Sequence, residues 1–123
     1  MRTLPIVVGL SLAGCAGPVA PPGDASASVT AGRVAGPPQS CISTSSSEGL
    51  HAIDSATLAY GSGSTIYINR LGYRCPGLRD LSTIITEVRG GQYCRGDHIR
   101  ALEPGSIIPG PSCNLGDWVP YRR

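Results

Sequence analysis

Four cysteines, Cys41, Cys75, Cys94 and Cys113, run through the last two thirds of this 123-residue chain and constrain its fold more than any other feature. A segment of that size has too small an interior to be held by burial alone, and cross-links supply what the core lacks. Their separations of 34, 19 and 19 positions differ from the short Cys-x₂₋₄-Cys pairs of zinc sites, so disulfides fit better than a metal. Four cysteines allow three pairings. Cys75 and Cys94 flank the 78–88 segment and its Gly90-Gly91 turn, where a doubled-back chain would bring them together. Cys41 and Cys113 open the first and last segments. The expected bridges are therefore Cys75–Cys94 and Cys41–Cys113.

Disulfides imply an oxidising compartment, and the N-terminus supplies a route to one. Arg2 is a minimal positive n-region, Leu4 to Leu12 a short apolar stretch, and the small residues Ala13 and Gly14 precede Cys15. Residues 1–14 read as a signal peptide. Leu12-Ala13-Gly14-Cys15 resembles the lipobox of bacterial lipoproteins, in which the cysteine thiol is alkylated by diacylglycerol and the new N-terminus acylated. That resemblance implies lipid attachment at Cys15 and a membrane partner. Ala16 in place of Asp after the cysteine points to the outer membrane of a Gram-negative cell, facing the periplasm. No apolar run reaches the 18 residues of a transmembrane helix.

Composition changes near residue 40. Residues 16–40 are almost all Ala, Gly, Pro, Ser and Val, and every Tyr and the single Trp lie beyond them. Such a stretch buries too little apolar surface to offset its ordering entropy. Residues 15–40 are thus expected to be a lipidated cysteine and a disordered tether, and residues 41–123 one mainly-β domain. Glycine and proline punctuate Ile- and Leu-rich runs, as in a small disulfide-stapled barrel or roll of five to six short strands. The clearest hairpin joins Thr57–Tyr60 to Thr65–Asn69 through Gly61-Ser-Gly-Ser64, with Leu58 and Tyr60, and Ile66 and Ile68, on one face. His98–Leu102 reads as a strand, and Leu115–Val119 as the last, stopped by Pro120. Leu78–Val88 has helical spacing, but Thr83-Ile-Ile-Thr86 is β-branched throughout, which favours a strand.

Cys41-Ile42, Cys75-Pro-Gly-Leu78, Cys94-Arg-Gly-Asp97 and Cys113-Asn-Leu-Gly-Asp-Trp-Val-Pro120 together resemble an uncharacterised family of small exported bacterial proteins, domain of unknown function 6491. The similarity spans residues 41 to 120. It implies a cysteine-stapled, periplasm-facing domain and brings no catalytic residue with it.

Chemistry-bearing residues are few. His51, Asp54, Asp97 and His98 are the groups from which an acid–base or metal site would be built, but on a strand His51 and Asp54 point to opposite sides, as do the adjacent Asp97 and His98. Arg95-Gly96-Asp97 spells an integrin-binding tripeptide, though Gly96-Asp97 reads more simply as a turn. The serines of Ser43–Ser47 lie in no Gly-x-Ser-x-Gly elbow, and Gly61–Ser64 lacks the strand and helix that flank a phosphate loop. Without Phe, the five Tyr and Trp118 must serve the core, with Trp118 or Tyr121 the candidates for a binding patch. Eight Arg face seven acids over residues 41–123, so no basic stripe marks a nucleic-acid partner. The leading expectation is a non-catalytic, membrane-anchored envelope lipoprotein, without cofactor, that binds another envelope component. The alternative is a small periplasmic enzyme or metal-binding domain using Asp97 with His98 or His51.

Overall fold

The computed structural model describes residues 26–45, 48–87 and 90–123. The predicted signal peptide, Cys15 and residues 16–25 lie outside the described residues. Within them the chain is mainly β, with ten short strands in three open antiparallel sheets and one helix, α1 (Ala27–Thr30). No sheet closes on itself, so the expected barrel is replaced by layers.

The largest sheet has five strands in the order β1 (Val34–Ala35), β10 (Trp118–Arg122), β5 (Thr65–Arg70), β4 (Thr57–Tyr60), β3 (Leu50–Asp54). Its centre is the predicted hairpin, in which Leu58 pairs with Asn69 and Tyr60 with Tyr67. Gly61 and Gly63 take φ of +94° and +82° in the connecting turn, a conformation that disfavours side chains with a Cβ. The register places Leu58 and Tyr60 on one face and Ile66 and Ile68 on the other. Both faces are covered, which is why all four residues of β4 are buried. Alternation alone did not distinguish a two-sided sheet from a one-sided one.

On one face Leu58, Tyr60 and Trp118 pack with Ile42, Leu71, Leu78, Ile99, Ala101 and Leu115 in the main core. Those partners come from the connections and from two smaller sheets: β2 (Cys41–Ser43) with β7 (Gln92–Cys94), and β6 (Thr83–Glu87), β8 (His98–Leu102) and β9 (Cys113–Asn114). Tyr93 of β7 meets the Tyr60 ring edge-on at 5.6 Å and stacks near Trp118 at 6.4 Å, joining the small sheet to the large one. The Tyr60 hydroxyl accepts the Ser45 N–H at 2.7 Å, so the ring is buried and its polar tip satisfied.

On the other face Ala59, Ile66 and Ile68 are covered by Val29 of α1, Ile53 and Tyr121. This corrects the tether boundary. Residues 26–40 do not hang free: β1 pairs with β10, and Gln39 bridges Trp118. Ser26 is itself buried and accepts a hydrogen bond from Arg70 Nη2 at 2.9 Å. A segment poor in apolar residues is ordered because it covers apolar surface that the hairpin already presents.

Pro120 does not end the last strand; it lies inside β10, opposite Tyr67. Its carbonyl accepts from Gly36 at 2.7 Å, so its missing N–H falls on the side facing β1, where only two residues pair. The ladder to β5 keeps all its donors, and a proline is tolerated there.

The disulfides are Cys41–Cys94 and Cys75–Cys113, with Cα separations of 4.0 and 6.0 Å. The expected Cys75–Cys94 and Cys41–Cys113 bridges are both wrong, and for one reason. The strand before the Gly90-Gly91 turn, β6, pairs with β8 rather than with β7. Freed from it, β7 pairs with β2 and sets Cys94 directly across from Cys41.

Candidate functional site

The residues from which sequence reasoning would build an active site are dispersed. His51 is exposed on β3 of the large sheet, whereas His98 is exposed at the start of β8 in another, its Nδ1 3.1 Å from the Ser112 hydroxyl. Asp54 Oδ1 accepts the Ala56 N–H at 2.8 Å and shapes the β3–β4 turn. Asp97 Oδ2 accepts the Cys94 N–H at 2.7 Å while the Asp97 N–H returns to the Cys94 carbonyl at 3.0 Å. Both carboxylates therefore hold turns. Arg95-Gly96-Asp97 is such a turn and not a projecting recognition loop: Asp97 faces its own backbone, and Arg95 pairs with Asp117 at 3.6 Å. Trp118 is fully buried and belongs to the core, while Tyr121 covers Ile66 and Ile68. Gly61–Ser64 is a hairpin turn, and Ser46 and Ser47 lie outside the described residues. Among the described residues no three His, Cys, Asp or Glu side chains gather as metal ligands.

Two features that the sequence reading passed over lie side by side. The first is a cleft of about 510 Å³ between the β3–β4 turn and the 74–80 segment. Asp54, Ser55, Arg74, Arg79, Asp80 and Glu103 are its polar lining. It carries both signs of charge and is open to solvent.

The second is apolar. Ile107 is 92% exposed, Ile108 77% and Leu81 82%. Leu81 immediately precedes β6, and the 103–112 loop immediately follows β8. Thr83 pairs with Leu102, so both connections leave the same end of the β6–β8 ladder. Val34, the other aliphatic side chain so exposed, sits opposite Arg122 at the far end of the large sheet.

The local chemistry aims these side chains outward. Ser82 is buried; its hydroxyl donates to the Gly77 carbonyl at 2.9 Å and accepts the Arg79 N–H at 3.1 Å. The Ser82 N–H closes the turn on the Arg79 carbonyl at 3.0 Å. Leu81 is thereby held at φ +67°, the only described non-glycine residue with positive φ. Glycine or asparagine is the usual occupant of that conformation, and strained apolar residues of this kind gather at functional sites. The loop is fastened at its base by the Gly110 N–H on the Ala101 carbonyl at 2.8 Å. A legible signal existed: Ser106-Ile-Ile108 sits between Pro104-Gly105 and Pro109-Gly110, an apolar pair where turn chemistry calls for polar residues.

Comparison with family models, curated proteins and solved structures gives no match for this chain.

Proposed function

We propose that this chain is a non-catalytic, lipid-anchored module of the bacterial cell envelope that acts by binding through the Leu81, Ile107 and Ile108 end. The observation that carries this reading is the gathering of three largely exposed aliphatic side chains at one end of the β6–β8 ladder. Apolar surface left in water at one place marks an interaction site. Support for the anchor comes from Leu12-Ala13-Gly14-Cys15, and support for an oxidising compartment from the two disulfides. In this reading the outer membrane is the anchoring membrane, because Ala16 rather than Asp follows the cysteine.

Mass spectrometry of mature protein is expected to find lipid on Cys15 and an N-terminus created before it. Wild-type protein should partition with outer-membrane fractions, and Cys15→Ser should be recovered soluble or unprocessed. A wild-type chain that is unmodified and soluble would overturn the reading.

A further inference from the structure

We propose that the Ile107–Ile108 loop and Leu81 dock onto the lipid surface of the membrane that holds the chain, so that the domain lies against the bilayer. This rests on the lipid-anchor reading of Cys15 and names the partner of the apolar end.

The place where the chain enters the fold is the first support. Ser26 bonds to Arg70, the last residue of β5. From there the chain passes the β3–β4 turn, with Leu71 bonded to Ala56 and Cys75 to Ser55, and reaches Pro76. Glu103, the first residue of the apolar loop, lines the same cleft as Asp54 and Ser55 of that turn. Entry point and apolar loop therefore share one end of the molecule.

Reach is the second. Residues 16–25 are all that separate Cys15 from Ser26, a span of at most about 35–40 Å when fully extended. A domain on so short a leash stays close to the bilayer, with its entry end nearest. Its exposed isoleucines meet lipid at high effective concentration, and a weak individual affinity suffices.

The loop's own hydrogen bonds are the third. The Ser106 hydroxyl accepts the Ile108 N–H at 3.2 Å and donates to the Ile108 carbonyl at 3.3 Å. Pro104, Pro109 and Pro111 have no N–H to satisfy. The tip thus presents two aliphatic side chains while the backbone of Ile108 is already paired, as entry into a lipid interface demands. Arg74 and Arg79 beside it are offset by Asp80 and Glu103, so attachment is apolar rather than electrostatic.

The test uses the full lipidated chain in vesicles of phosphatidylethanolamine and phosphatidylglycerol with brominated acyl chains. Ile107→Trp should show blue-shifted emission that bromine quenches, most strongly when the bromine is near the glycerol end. Ser62→Trp, in the exposed β4–β5 turn at the opposite end, should be unquenched, and wild type reports the buried Trp118 alone. Quenching at Ile107→Trp should persist at high salt and in vesicles lacking phosphatidylglycerol. Equal quenching at both positions, or none at 107, overturns the docking; so does a dimer crosslinked through position 107 in its place. Lipid mass on Cys15, measured on the same sample, separates the two readings. Lipid present without quenching overturns docking alone, and lipid absent overturns both.

Discussion

The Asn69 amide is fully buried, donates to the Gly116 carbonyl and accepts the Gly116 N–H, both at 2.8 Å. One side chain thus replaces two ladder bonds and fixes the chain just before β10. A Cβ at Gly116 would meet the Arg70 carbonyl oxygen at 2.5 Å, so only glycine allows this approach. Asn69→Leu should cost about 2–4 kcal/mol, because two buried backbone groups lose their partners. Asn69→Asp, nearly isosteric, should cost at least as much, since an acceptor would then face the Gly116 carbonyl; urea denaturation measures both. Leu81→Gly should do the reverse, raising stability by about 0.5–1 kcal/mol through relief of its left-handed conformation, with the gain read as a higher Tm. None of these roles was legible in the sequence. An Asn in a strand and a Gly before a Trp have many explanations until the register brings them together.

At the scale of elements, local signals were legible and pairings between distant segments were not. The β4–β5 hairpin, β8 and the strand character of residues 83–87 follow from alternation, β-branching and turn residues that need only neighbours in sequence. Pro120 misled because a proline reports one missing donor and not the side of the strand on which it is missing. The cysteines misled because adjacency along the chain says nothing of which strand leaves a sheet to join another. Non-reducing peptide mapping is expected to link Cys41 to Cys94 and Cys75 to Cys113. In the loop-entropy picture each bridge contributes about 4 kcal/mol, and their separations of 53 and 38 make the two nearly equal. Burial should then decide the order. Cys75 and Cys113 are in the core, so replacing that pair by alanine should cost about 1–2 kcal/mol more than replacing Cys41 and Cys94.

For the molecule as a whole, the folded unit begins at least fifteen residues earlier than composition suggests. Limited proteolysis should leave a resistant fragment starting near Ser26, and a chain beginning at Cys41 should be weaker by about 2–4 kcal/mol from uncovering Ile66 and Ile68. A fragment starting at 41 that matched the longer one in Tm would remove α1 and β1 from the fold. The placement of β10 governs when this protein can exist at all. It lies between β1 and β5, contributes Trp118 to the core, and its residues 118–122 follow every other strand in the chain. The two disulfide loops interleave, Cys75 lying inside the 41–94 loop and Cys94 inside the 75–113 loop, so the two bridges tie overlapping stretches of chain. Until residues 118–122 are present, β5 and β1 have no strand between them and the main core lacks Trp118. The last residues of the chain are thus the ones that join its first strand to the rest of the sheet.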